Sequence, residues 1–177
     1  MPVLLELFGE LAEYEHLTHE LRATEQGLAA GLFGERPVAE ALIAERDGDA
    51  LGYALYFPTF SSFLTSTGVW LEDLFVRPSH RGEGVGWALL STVAARVREQ
   101  GGERLEWAVL DWNELALGFY RRLGAEGMGE WITHRLDGDA LEDVAGKAAA
   151  IAGSLANSPS RRQQASPRSP MDKTTAS

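Results

Sequence analysis

Arg81, Gly82, Gly84 and Gly86 fall within six residues of one another, behind an apolar strand and at the start of a helix. Glycines at alternate positions let the backbone come close to a ligand and turn successive N–H groups the same way. A helix beginning at Val85 adds the positive end of its dipole. Arg81 with the amides of Gly82, Glu83, Gly84, Val85, Gly86 and Trp87 is therefore a candidate seat for a pyrophosphate, and the expected ligand carries a nucleotide. Two other phosphate loops fit less well. A P-loop needs Gly-Lys-Ser/Thr at the helix start, and this loop has no lysine. A Rossmann turn sets G-x-G-x-x-G directly after its strand. Here the five residues Arg77 to Arg81 intervene and the spacing is G-x-G-x-G, although Asp111 follows the next strand as a Rossmann acid would.

Two further sets of residues could do chemistry. Glu72 and Asp73 interrupt an apolar strand, which is unfavourable for buried carboxylates unless they are paired or used. Period-two alternation predicts that they point to opposite faces, so that only one meets a ligand. Tyr120 lies one step around a helix from a Leu115, Phe119 and Leu123 stripe, where a phenol could give a proton beside the core. The four histidines, His16, His19, His80 and His134, form no metal-ligand spacing with acids, and no metal is expected. No nucleophile-elbow motif supports Ser/His/Asp chemistry.

The elements that must position these residues read as a mixed α/β layer fold around one sheet. Leu4, Leu7, Phe8 and Leu11 predict an amphipathic helix from Val3 to about Leu17. Thr24 caps a second helix to about Phe33. Val38 to Glu45 and Leu51 to Phe57 read as strands about an Asp47-Gly48 turn. Thr59 to Gly68 reads as a loop before the strand Val69 to Val76. Val85, Leu89, Val93 and Val97 line a helix that stops at Gly101-Gly102, and Arg104 to Leu110 is the next strand. Asn113 caps the helix that carries Tyr120, and a last strand is expected from Glu130 to Leu136.

The chain has 177 residues and no cysteine, which allows one domain with its own core and suits a reducing compartment. No run of 18 apolar residues and no signal segment occur, so a cytoplasmic protein with no membrane partner is expected. Fourteen arginines against two lysines suggest a GC-rich bacterial genome. Residues 1–145 carry 11 arginines and 25 acids, a net of −14. Such a body repels nucleic acid and draws small cations toward an acidic cleft. Residues 1–145 read as the folded domain and 146–177 as a basic Ala/Ser/Pro-rich tail, disordered apart from a helical turn at Ala148 to Leu155.

Arg81-x-x-Gly84-x-Gly86 resembles the Q/R-x-x-G-x-G/A signature of the GCN5-related N-acetyltransferases. Ala12-Glu-Tyr-Glu15, Leu71-Glu-Asp-Leu-Phe-Val76, Asp111-Trp-Asn-Glu114 and Phe119-Tyr-Arg-Arg122 resemble the diamine and thialysine acetyltransferase branch, and the likeness covers about residues 4–136. The resemblance implies acetyl-coenzyme A as co-substrate and an enzyme acting by direct attack in a ternary complex. It implies a primary amine of a small cationic diamine, polyamine or thialysine-like substrate, and a homodimer. By the same likeness, Leu74, Phe75, Val76 and Asn113 join the phosphate loop in holding the coenzyme, Tyr120 is the acid and Glu72 the base. Tyr14, Glu15, Glu72, Asp73 and Glu130 form the substrate rim. Three departures stand out. Family members open with a strand ahead of the first helix, where this sequence opens inside that helix, and Ser62 and Gly118 replace an acid and an amide. The alternative reading is a non-catalytic acyl-coenzyme A binding module of the same fold.

Overall fold

The computed structural model describes residues 1–148, and by packing the chain divides into two units, Met1–Ala125 and the residues from Glu126 on. The expectations for the tail beyond residue 148 lie outside the described residues.

In the first unit, helices α1 (Pro2–Tyr14) and α2 (Glu25–Phe33) precede strands β1 (Glu40–Arg46), β2 (Asp49–Ser61) and β3 (Ser66–Val76). A 3-10 turn (Pro78–His80), α3 (Val85–Glu99), β4 (Arg104–Trp107) and α4 (Glu114–Arg122) complete it. The sheet order is β1-β2-β3-β4, antiparallel except for β4, which runs parallel to β3. Asp47 and Gly48 take φ of 55° and 90°, the positive values that a two-residue hairpin turn requires. β2 and β3 continue through most of the stretch expected as a loop, pairing Thr59 with Gly68 and Phe60 with Thr67. This hairpin end projects past the core, with Phe60 and Phe63 exposed, so no buried face marked it in the sequence.

Two cores clasp the sheet. On one face Leu51, Ala54, Tyr56, Val69 and Leu71 pack against Val85, Leu89, Val93 and Val97 of α3. On the other, Tyr53 and Phe75 pack against Leu4 and Leu7 of α1. Arg77, just past β3, ties that second layer to the sheet. Its guanidinium donates to Glu10 at 2.6 and 3.0 Å, to Glu6, and to the Ala50 carbonyl at 2.8 Å. Because the Arg77 side chain is mostly covered, Arg77→Met is expected to destabilise the unit by about 1–2 kcal/mol in chemical denaturation.

In the second unit residues Glu130 to Leu136 are not a strand but turn and irregular chain. A strand needs a hydrogen-bonding neighbour, and the unit has no other strand among its described residues. Trp131 and Ile132 are consequently 75% and 79% exposed. A helix absent from the sequence reading, α5 (Gly138–Gly146), follows, with Asp139 in its first turn where the helix dipole favours an acid.

Candidate active site

β3 and β4 pair only from Gly68/Arg104 to Leu71/Trp107. Beyond Leu71, β3 keeps β2 on one side, and the alternate backbone groups of Glu72 to Val76 on the other side face the gap where the two parallel strands part. The glycine loop opens at the end of that gap. Gly82 and Gly84 adopt φ of 82° and 86°, a left-handed backbone that favours glycine. Gly84 is the N-cap of α3, and no side chain caps this helix start. The first amides of α3 are therefore available to an anion. Gly86 lets α3 close on its neighbours: a Cβ there would lie 3.6 Å from Val76 and 3.9 Å from Phe119. Val85 is buried, Trp87 is exposed, and Glu83 carries an ion pair of 2.8 Å to Arg46, so these three offer the loop their backbone rather than their side chains. The side chains of Leu74 and Val76 pack on the α3 core and that of Phe75 on the α1 core.

Arg81 Nε donates to the Val76 carbonyl at 3.0 Å, and its guanidinium lies 4.4 Å from the centre of the Tyr14 ring. Tyr14 in turn donates to Asn113 Oδ1 at 3.2 Å, while the same oxygen caps α4 at the Ala116 amide, also at 3.2 Å. One run of contacts thus joins the glycine loop, the end of α1 and the start of α4.

The acids sit differently from the sequence expectation. In the β2–β3 register Leu55 faces Asp73 and Tyr56 faces Leu71, so Glu72 is an extra residue opposite no partner, a β-bulge. Leu71 and Leu74 consequently both face the α3 core, and Glu72 and Asp73 lie together on the α1 side. The prediction of opposite faces fails because it assumes unbroken alternation, and a bulge shifts the period by one. Glu72 is exposed and accepts from Trp70 Nε1 at 2.9 Å. Asp73 is mostly buried and accepts from the hydroxyl of fully buried Tyr53 at 3.0 Å.

Burial pushes the Asp73 carboxyl up to about 6, the Tyr53 bond opposes that rise, and the charges of Glu72 and Glu15 add to it. Burial likewise raises Glu15, at the end of α1. Tyr120 is pushed up to about 12, by burial first and by the Glu15 charge second. Its ring packs 4.7 Å from Trp107 and 5.3 Å from Phe119. Glu15, Glu72, Asp73 and Tyr120 are thereby electrostatic neighbours, and the charges that act on Asp73 are all negative. Tyr53 escaped the sequence reading because its role comes from cross-strand position. Glu130 lies in an exposed turn of the second unit. Among the described residues no group of three or more His, Asp or Glu side chains could hold a metal, and no helix is long and apolar enough to cross a membrane.

The arrangement can seat a diphosphate at the α3 start, lay an extended arm along the open edge of β3, and hold a cation at its acids. Comparisons with known proteins show the family. The pattern of the Acetyltransferase (GNAT) family matches residues 2–125. The thialysine N-epsilon-acetyltransferase of Mus musculus is 36% identical over 155 residues, covering 81% of this chain and 91% of that protein. The L-ornithine N5-acetyltransferase of Arabidopsis thaliana is 31% identical, covering 81% of this chain and 83% of its own length. Among solved structures, an integron cassette protein from the mobile metagenome of V. cholerae superposes with a TM-score of 0.68 at 31% identity, covering 81% of this chain and 90% of that one.

Proposed function

The chain belongs to the acetyltransferase (GNAT) family and is an N-acetyltransferase, and from that premise we propose that it moves acetyl from acetyl-coenzyme A to a primary amine of a small cationic molecule, a diamine, polyamine or thialysine-like compound. The observation that carries the cationic substrate is the cluster of Glu15, Glu72 and Asp73, whose two consecutive acids are turned to one side by the bulge. The names of the relatives that act on thialysine and ornithine support the same class.

Acetyl-coenzyme A supplies an activated thioester; the chain's own residues do the rest. The amides of Gly82 to Trp87 and the dipole of α3 hold the pyrophosphate, and Arg81 turns its free guanidinium nitrogens to it. The open edge of β3 at Leu74 to Val76 takes the pantetheine arm and offers an amide to the thioester oxygen. Asn113, joined to Tyr14, caps the start of α4, the helix whose last turn carries Tyr120. The amine enters charged, since an alkylammonium has a pKa of about 10, and Glu15, Glu72 and Asp73 hold it. It must lose its proton before attack. Glu72 is the base that the resemblance favours, and Asp73, titrating at about 6, is the better matched to neutral pH. Tyr120 hydrogen-bonds the departing sulfur.

The experiment is thiol release from acetyl-coenzyme A with a panel of diamines, polyamines, ornithine and thialysine. Release with a cationic amine is the expected result, and silence across the panel would count against the reading. Arg81→Gln is expected to raise the KM for acetyl-coenzyme A about tenfold, the order of one charge-assisted hydrogen bond. An unchanged KM would remove Arg81 from the phosphate site.

A further inference from the structure

Glu83 is an acid at the tip of a loop read as a seat for an anion. It stands between Gly82 and Gly84, whose φ values are 82° and 86°, and it is the only charged side chain from Gly82 to Ala95. Gly84, the next residue, is the N-cap of α3, where no side chain satisfies the first helix amides. A carboxylate tethered one residue ahead of those amides is an anion in its own right. It repels a diphosphate, and it is near enough along the chain to compete for the same N–H groups.

In the structure that carboxylate is held elsewhere. Its Oε2 accepts from Arg46 at 2.8 Å, across 37 residues of chain. Arg46 ends β1 and has Glu45, Asp47 and Asp49 beside it in sequence. Three acids are thus at hand, yet its one ion pair among the described residues is with Glu83. His80 Nδ1 lies 3.6 Å from the other Glu83 oxygen, too far for a hydrogen bond, and has no partner of its own. Arg46 therefore supplies the only hydrogen bond that the Glu83 carboxylate makes among the described residues. That bond holds the Glu83 carboxyl below the ordinary carboxylate range, so the negative charge is present at neutral pH. The two side chains are 53% and 39% exposed, and an exposed ion pair adds little to folding. Its consequence is for the loop.

We propose that Arg46 is a positioning residue for the coenzyme: it holds the Glu83 carboxylate out of the diphosphate seat and cancels its charge there. This rests on the acetyl-coenzyme A reading above and deepens it. Glu83 is on this account an obstacle held aside, and the ion pair is not a tether of the loop. A tether fails when either partner is lost. An obstacle harms binding only when its holder is lost, and the harm disappears with the obstacle. Loss of Arg46 and loss of Glu83 are therefore expected to act in opposite directions.

The test is the Kd of the full chain for acetyl-coenzyme A, measured by calorimetry at low salt, with melting curves to show that each variant is folded. Arg46→Gln is expected to weaken binding about tenfold, the order of one uncancelled charge beside a diphosphate. Glu83→Gln should tighten it about threefold, since the guanidinium is then left uncancelled. The double variant should return to within about twofold of the parent, and Arg46→Lys should keep most of the parent's affinity. The gap between Arg46→Gln and the double variant should narrow in about 0.5 M salt, which screens exposed charges within a few ångströms. Parent-like binding by Arg46→Gln overturns the proposal. A double variant as weak as Arg46→Gln, or weaker binding in Glu83→Gln, also overturns it and makes the pair a tether. A parent that binds no acetyl-coenzyme A sinks the coenzyme reading itself and this inference with it.

Discussion

Asp73→Asn is expected to make the protein more stable and less active. The Asp73 carboxyl, raised by burial to about 6, binds its proton more tightly in the folded chain than in the unfolded one. Between the ordinary carboxylate range and pH 6 the folded state therefore holds a proton that the unfolded state has released. Stability then falls as pH rises through that window and stays lowered above it. A shift of about two units corresponds to roughly 2–3 kcal/mol. Asparagine never ionises, and its amide oxygen can still accept from the Tyr53 hydroxyl. The variant should thus exceed the parent by about 2 kcal/mol at pH 8, some 5 °C in Tm, and lose that advantage by pH 4. Turnover of the amine at neutral pH should fall about a hundredfold, and the acid limb near pH 6 in the profile of kcat/KM should weaken or vanish. Thermal denaturation and pH-rate profiles on the same preparation separate the two effects. A variant no more stable at pH 8 than at pH 4, relative to the parent, would mean that Asp73 carries no burial penalty.

Such a trade of stability for charge is what a functional carboxylate looks like, and part of it is written in the sequence. Two acids inside the apolar strand announce themselves, and so does the glycine loop ahead of α3. Asn113 and Thr24 cap α4 and α2 as their positions suggest, because an N-cap is a local device. The Asp47-Gly48 hairpin is equally local. The bulge is not. Yet a trace of it is present: Val69 and Leu71 pack on the α3 core at one parity, and Leu74 and Val76 pack there at the other. Apolar residues that change parity inside one strand mark an inserted residue. The hydrogen bond from Tyr53 depends on which strands pair and in what register, and no spacing within β2 or β3 alone fixes that. The expected strand at residues 130–136 fails for the complementary reason. β-propensity describes how a residue fits a pleated surface with neighbours, and Trp131 and Ile132 have no ladder partner.

Replacing Tyr120 with Phe should lower turnover about a hundredfold while leaving the KM for acetyl-coenzyme A and the Tm nearly unchanged. The packing of the ring, 4.7 Å from Trp107 and 5.3 Å from Phe119, survives the change, so stability has little to lose. The size of the effect follows from the acidity of the phenol. Burial and the Glu15 charge push Tyr120 up to about 12, whereas a thiol titrates near 8.5. Full transfer of the phenolic proton to a free thiolate would be uphill by about 3.5 units, or roughly 5 kcal/mol. In the proposed reaction Tyr120 would therefore act only while the C–S bond breaks, as a hydrogen bond that strengthens with the charge developing on sulfur. That confines its contribution to kcat, at the lower end of the range for general acid catalysis. The raised value also predicts that Tyr120 stays protonated to beyond pH 10, so it gives the parent enzyme no basic limb below that pH. Equal turnover in Tyr120→Phe would remove the residue from the reaction. An unchanged kcat with a raised KM for acetyl-coenzyme A would assign it to binding instead.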